Sequence, residues 1–592
     1  MRNTRISAAG MASVLFLSGA INYPAPFAPP GNKQLKAKDE TAGPFIETGQ
    51  RGGRLLFAQR TEAKTLNPVT AIDVSSKQIL GLLNADLIHI DRATQRTEPG
   101  LARNWTVSRD RRTYTLTLRT GLRFSDGQPF TVDDVLFSFQ VYLDEKLHSP
   151  QRDLLIVGGK PIEVQKSGPD TVRFSLSAPY AAAERIFDSV FILPKHLLEK
   201  PYRAGELSQA WPVTVSVREI AGLGPFRLTQ HIPGERLVLE RNPYFWEHDS
   251  AGKPLPYLDE LLALNSGGAE GEAMRFAAGE IDIADRLSAQ NFATLERYEK
   301  ARHLTLFDLG PGLEFDFLFF NLNGDKRDKS TLPDLETEAC FRTLAFRRAV
   351  STAIDRQALV RLAYRERAYP LSTFVPPGDN RWVNTRIPAW RYLPNLARQT
   401  LREAGFNWNR NGNLESAPGK ELKFSLIFSA SNPQQGEMAT LIQRDLGNIG
   451  IQINIVPLEF HSVLERVFHT FDYEAAIMAL AGGDTDPNSE INIWTSQGGT
   501  HVWDLTQKGP QAAWQKEVNR LMQEQMITAE YQKRKSMYDR VQYLVWENLP
   551  IICLISPHIL VGAKEKVCNF RPAVLGDHIL WNAERLYIRR GR

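Results

Sequence analysis

The order of apolar and polar positions changes period several times along the chain, and each period predicts an element. Arg54-Leu55-Leu56-Phe57-Ala58 is a short apolar strand, and Leu66-Asn67-Pro68 turns the chain after it. Tyr114-Thr115-Leu116-Thr117-Leu118-Arg119 and Thr171-Val172-Arg173-Phe174-Ser175-Leu176 alternate strictly. A two-residue period turns one face of a strand to a core and the other to solvent, so both are predicted as half-buried strands. Ser125-Asp126-Gly127 is a turn. Thr131 then precedes the carboxylate Asp134 by three positions, ahead of Val135, Phe137, Phe139 and Val141. That spacing lets the two side chains cap a helix N-terminus reciprocally.

Gly224–Leu228 and Arg236–Glu240 are predicted as two strands around the turn Pro233-Gly234, and Glu272–Glu280 as a helix before the strand Ile281–Ala284. Phe315 to Leu322 is nearly continuous apolar, as a strand buried on both faces requires. From residue 345 onward strands alternate with helices. Phe346–Leu362 and Leu396–Ala404 are helical, Leu422–Phe428 is a strand, Glu437–Ile449 a helix and Ile451–Val456 a strand. This β-α-β order predicts a parallel pair with a right-handed crossover. Glu517–Glu547 holds a long helical region, and Leu549–Ile555 is a last buried strand.

The ends of the pattern differ from its middle. Arg2 and Arg5 precede a run of apolar or small residues from Ile6 to Ala20, which closes on Ser18-Gly19-Ala20. This reads as a cleavable export signal over 1–20, the run being shorter than the ~20 residues that span a bilayer. No cysteine follows to carry a lipid; an uncleaved anchor is the alternative. Residues 21–50 carry Pro24, Pro26, Pro29, Pro30, Pro44 and several lysines. They are read as a flexible tether because they hold too little apolar surface to fold. The fold is expected to begin near Gly52-Gly53.

Composition narrows the function. The chain has 592 residues, enough for about three to five units at ~100–200 residues each. Lysine and arginine total 71 against 67 acidic residues, a net charge of +4, so nothing calls for nucleic acid or an anionic membrane as partner. The three cysteines, Cys340, Cys553 and Cys568, form no CxxC pair, which argues against structural zinc. Cys553 and Cys568 pair only if two strands meet there; otherwise all three are separate buried thiols. There is no GxSxG elbow, HExxH or GxxxxGK[ST] loop, and His461 and His469 have no third ligand nearby in sequence. No enzyme activity, metal or cofactor is expected.

Several phrases together carry a family resemblance. Gly52-Gly53 and Leu66-Asn67-Pro68 open the fold. Gly100-Leu101-Ala102-Arg103-Asn104-Trp105, Thr113-Tyr114-Thr115 and the run from Leu122 to Val135 (LRFSDGQPFTVDDV) follow. Then come Gly222-Leu223-Gly224-Pro225-Phe226, Glu240 to Trp246 (ERNPYFW), Phe320-Asn321, Phe346-Arg347-Arg348-Ala349-Val350 with Ala353-Ile354-Asp355-Arg356, and Leu549-Pro550-Ile551-Ile552. In this order and spacing they resemble the family 5 solute-binding proteins of peptide and nickel ABC importers, and they span the chain beyond the tether. Each phrase has a structural meaning of its own, so together they identify a fold rather than a ligand.

The resemblance implies an α/β, two-lobed periplasmic-binding-protein fold with two crossing hinge strands, near 316–323 and 549–555, and an extra subdomain in the first lobe. The expected division is lobe 1 over 51–92, the inserted subdomain over 93–205, lobe 1 again over 206–315, lobe 2 over 316–553, and a return to lobe 1 over 554–592. It further implies a monomer, exported to the periplasm or cell exterior. Such a protein binds a small molecule, by this resemblance a peptide, between lobes that close by hinge motion, and it hands that ligand to the permease subunits of an ABC importer.

Peptides are read in this family through backbone pairing and charged end-holders. The family's amine-binding Asp stands four residues before a proline in a second-lobe loop. In Ala481-Gly482-Gly483-Asp484-Thr485-Asp486-Pro487 that position is Gly483, and Asp484 one residue later is the candidate. The bland reading makes Asp484 and Asp486 turn carboxylates. Trp494 and Trp503 are candidate stacking residues or core, and Glu62 a cleft-facing or merely solvated loop residue. Tyr244 and Trp246 are read as packing. The alternative to a peptide is a non-peptide solute such as an oligosaccharide, an opine or a nickel chelate; a structural or chaperone-like protein is a third class.

Overall fold

The computed structural model describes residues 47–188, 190–324, 333–480 and 485–589. The expected signal over 1–20, nearly all of the tether and Asp484 lie outside these residues. No helix among the described residues is long and apolar enough to cross a membrane.

Three sheets organise the chain. In the first, Arg54–Gln59 pairs in parallel with Glu260–Asn265, which continues antiparallel through Arg236–Arg241 to Phe226–Ile232. The second is an antiparallel meander-like sheet in the order Ala102–Val107, Thr113–Leu118, Thr171–Ser175, Glu163–Lys166. Its alternating strand buries Tyr114, Leu116 and Leu118 and leaves the threonines between them half-exposed, as the two-residue period requires. The helix Val132–Leu143 begins at Thr131, whose backbone N–H donates to Asp134 Oδ2 at 2.8 Å while its hydroxyl oxygen accepts from the Asp133 N–H. One apolar cluster runs through both sheets, joining Leu55, Phe57, Leu237 and Leu261 to Phe124, Phe139 and Phe174. Gly222 and Gly224 of the family-like phrase lie so close to the backbone of Leu83 that a β-carbon would sit 2.0 and 2.5 Å from its carbonyl atoms. Only glycine fits there, which explains the phrase structurally.

The third sheet orders Gln452–Leu458, Lys423–Ser429, Ala475–Leu480, Phe315–Phe320 and Ile552–Lys564. Lys423–Ser429 and Gln452–Leu458 are parallel and are connected through the helix Pro433–Gly447, the predicted β-α-β unit. All six residues of Phe315–Phe320 are buried. Phe315, Phe317 and Phe319 enter one core with Trp494, Trp503 and Tyr538, while Leu318 and Phe320 enter another with Phe341, Phe346 and Phe424. A continuous apolar run is thus the signature of a strand with a core on each face.

Ile552–Lys564 is 13 residues long and serves two sets of partners. Its first part pairs with Phe315–Phe320, and its second with Leu304–Pro311 and Ile283–Ala284. The chain passes between these sets at Gly312–Glu314 and again at Ser556–His558, so the crossings fall a few residues from the expected 316–323 and 549–555. The displacement arises because Phe315–Phe320 is wholly committed to the third sheet. The two passages touch: Gly312 N–H donates to Pro557 O at 2.9 Å, and Ser556 Oγ to Gly312 O at 3.3 Å.

Two predicted helices are subdivided. Phe346–Leu362 is interrupted after Ala353, where Ile354 is extended and Asp355 caps a new turn by accepting from Ala358 N–H at 3.0 Å. Glu517–Glu547 is two helices, Ala513–Ile527 and Tyr531–Asn548, separated at Thr528-Ala529-Glu530. The last predicted strand begins at Ile552 and runs on to Lys564. The three cysteines are free, buried thiols.

Candidate ligand-binding site

A cavity of about 450 Å³ lies between the second sheet and its flanking turns on one side and elements packed on the third sheet on the other. Its first wall holds Gln95, Arg96, Thr97, Arg111, Tyr114 and the segment Ala181–Arg185; its second holds Arg381, Trp382, Asp486, Ala529, Tyr531 and Arg534. Two hydrogen bonds join the walls. Ala181 N–H donates to Met526 O at 2.8 Å, and Arg185 Nη2 to Thr485 Oγ1 at 3.2 Å.

Local chemistry sets each wall. Asp91 accepts from the N–H groups of Ala93 and Thr94 at 2.9 and 2.7 Å and folds the loop that carries Arg96. The same loop is pinned to the 181–188 segment by Asp188, which accepts from Ile90 N–H at 2.8 Å and pairs with Arg92 at 2.9 Å. Arg111 stands at positive φ in the turn closing the Ala102–Leu118 hairpin, with its N–H on Ser108 O. Glu184 is engaged at both oxygens, by Thr97 Oγ1 at 2.9 Å and Trp105 Nε1 at 3.0 Å. Burial raises the Tyr114 hydroxyl above its ordinary value, so it is a neutral hydrogen-bonding group at this wall.

On the opposite wall the Arg534 guanidinium grips Asp486 with two parallel bonds of 2.9 and 2.8 Å and also reaches Gln525 Oε1 at 2.8 Å. The paired side chains are only 6% and 8% exposed. Asp486 also accepts from Asn488 N–H at 3.0 Å and so caps the turn Pro487–Glu490. A bidentate, buried pair fixes the loop's base and takes up most of that carboxylate's accepting capacity. Arg534 lies over the Trp382 ring at 5.0 Å, and Arg381 over Tyr531 at 5.3 Å.

Beneath the first wall, Asp86, His89 and Asp188 bring three potential metal-ligating atoms within 4.8 Å of one another. Burial alone would lower His89, but the hydrogen bond and charge of Asp86, with Asp188, push it up to about 9. Burial and the neighbouring Asp188 push Asp86 up to about 6. A protonated imidazole is an ion-pair partner rather than a metal ligand at neutral pH.

The sequence candidates fall in different places. Asp484 lies outside the described residues; Thr485 beside it bonds across the cavity. Glu62 follows the first strand, where its Oε1 accepts from His231 Nε2 and Gly234 N–H, both at 3.0 Å; it does not line the cavity. Trp494 and Trp503 do not line it either. Trp494 packs on Phe374 with ring centres 3.8 Å apart and donates from Nε1 to Glu490 at 2.9 Å, and Trp503 packs on His501 at 3.9 Å. Trp246 takes Arg119 over its ring at 4.4 Å, a packing contact as expected. The arginines of the cavity were not singled out in the sequence. They stand in separate turns and helices, and only the fold gathers them.

Two α/β lobes, two touching chain passages between them and a cavity where the lobes face each other define the architecture of a two-lobed solute-binding protein. Residues 96–501 match the profile of the bacterial extracellular solute-binding proteins, family 5 (middle region), and the chain belongs to that family of substrate-binding components of ABC transporters. It is 26% identical over 579 residues to a "probable ABC transporter-binding protein" of Deinococcus radiodurans, covering 94% of each chain. It is 24% identical over 510 residues to the dipeptide-binding protein of Escherichia coli, covering 83% of this chain and 87% of that one. Among solved structures it is similar to the oligopeptide-binding protein AppA of Bacillus subtilis in complex with a nonapeptide, with TM-score 0.69, 22% identity, 92% of this chain covered and 100% of that one.

Proposed function

We propose that this chain binds a peptide in the inter-lobe cavity and delivers it to the permease of an ABC importer by closing about its two crossing strands. The observation that carries the reading is the cavity itself: both lobes wall it, and direct hydrogen bonds join the two walls beside it. Opening the lobes breaks those bonds and exposes the walls, so a ligand that touches both stabilises the closed form. The names of the relatives, dipeptide-binding and oligopeptide-binding, favour a peptide over the other solutes. In this reading the protein acts as a monomer outside the cytoplasm. Lobe 1 comprises 51–92, 206–315 and 554–592, with 93–205 inserted and 316–553 as lobe 2. Asp484 contacts the ligand, Glu62 sits at the lobe 1 margin, and Trp494 and Trp503 act from the core of lobe 2, where Trp494 holds Glu490.

Mass spectrometry of the purified protein under native and then denaturing conditions tests this. Released peptides are the expected result and give the ligand length directly. Release of a sugar, an opine or a metal chelate with no peptide would overturn the peptide assignment.

A further inference from the structure

The cavity has a strong charge imbalance. Among the described residues five guanidinium groups line it, those of Arg96, Arg111, Arg185, Arg381 and Arg534, against two carboxylates, Glu184 and Asp486. The carboxylates are already engaged: Glu184 by Thr97 and Trp105, Asp486 by both arms of Arg534. Arg96, Arg111 and Arg381 have no carboxylate partner among the described residues, and they come from both walls. Arg381 keeps its place by stacking on Tyr531, whose hydroxyl donates to the Arg381 carbonyl at 2.5 Å. The chain as a whole is nearly balanced, with 71 basic and 67 acidic residues, so the surplus at this one concave place is local. A cleft lined by one sign of charge between low-dielectric walls concentrates the field and selects ligands of the opposite sign.

We infer that the site selects anionic ligands, and among peptides those with acidic side chains, whose carboxylates bridge Arg96 and Arg111 on one wall to Arg381 on the other. The inference rests on the proposed use of this cavity as the ligand site. A cationic peptide brings like charge beside three arginines that nothing in the described chain neutralises, whereas an acidic one supplies the missing partners. Because these arginines are exposed, each contributes a modest factor, roughly 1.5- to fivefold in affinity.

Isothermal titration calorimetry of the full protein, stripped of ligand by unfolding and refolding, tests it. The probes are matched alanine-based peptides of two to five residues carrying one Glu, Gln or Lys, with citrate as a non-peptide polycarboxylate. The expected order is Glu, then Gln, then Lys, with about tenfold or more between the first and last. Arg111→Gln and Arg381→Gln are each expected to weaken the Glu peptide more than the Gln or Lys peptide and so to narrow that gap by roughly 1.5- to fivefold. Equal affinity for the three peptide charges, or a preference for Lys, overturns the charge inference and leaves the peptide reading standing. Binding of citrate with no peptide bound overturns the peptide reading and supports the charge inference. Binding of neither class overturns both.

Discussion

Asp316 stands two residues past the first chain passage, in the strand Phe315–Phe320, and only 1% of it is exposed. Gln435 Nε2 donates to its Oδ1 at 3.1 Å and the Tyr364 hydroxyl to its Oδ2 at 3.1 Å, but no cation among the described residues pairs with it. Burial, with the charge of Glu314 adding, pushes its carboxyl from 3.8 up to about 7 despite these hydrogen bonds. The native state therefore holds a proton that the unfolded chain releases above pH 4. Stability from this group is fully present below about pH 4 and is lost as pH rises toward 7. A shift of about three units corresponds to about 4 kcal/mol in total, of which about 3 kcal/mol falls between pH 5 and pH 8. Asp316→Asn keeps the shape and cannot ionise. Urea unfolding of both proteins at pH 5 and pH 8 is the assay, and the difference between them cancels the other titrating groups. The wild type is expected to lose about 3 kcal/mol relative to the variant over that interval. A difference that stays constant to within about 0.5 kcal/mol across that range would refute the reasoning.

Other predictions concern packing and thiols. Arg534→Met leaves Asp486 buried without its cation and is expected to cost about 3–5 kcal/mol in chemical denaturation, while the double change with Asp486→Leu recovers much of it. Phe317→Ala opens space in the core beside Cys553 and the Phe315–Phe319 stack and is expected to cost about 3–5 kcal/mol, read by the shift in the unfolding midpoint. Thr131→Ala removes one arm of the capping box, at about 0.5–2 kcal/mol by the same measurement. Burial pushes the Cys340 thiol up to about 11 and that of Cys553 up to about 12, so a thiol reagent is expected to label neither at pH 7.5 in the native protein and both after unfolding.

Local chemistry made much of the fold legible in the chain. Thr131 and Asp134 announce a helix start because both halves of the cap are side chains three apart. The FDFLFF run announces a doubly buried strand because neither face can be polar. The interruptions at Ile354 and at Thr528–Glu530 were not legible. Their apolar period continues across the break, and what stops the helix at Ile354 is tertiary: Asp355 N–H donates to Asp445 Oδ2, 90 positions away. The site was the least legible part. A tryptophan near a loop serves a core as readily as a ligand, and Trp494 and Trp503 pack among Phe374, His501 and Glu490. The cavity arginines come from two turns and three other segments and share no spacing, so only tertiary pairing brings them together.

The shared strand Ile552–Lys564 also sets an order of assembly. Leu304–Pro311 and Ile283–Ala284 find their sheet partner only in its second half, and Phe315–Phe320 has one edge open until its first half arrives. More than 230 residues of chain separate Phe320 from Ile552, so these pairings are among the most distant in the sequence. During synthesis neither lobe can finish its sheet until Ile552–Lys564 has emerged. That strand is therefore a closing seam: a product interrupted before it would leave strand edges bare in both halves at once, and would reach proteases or aggregates instead of a half-working protein.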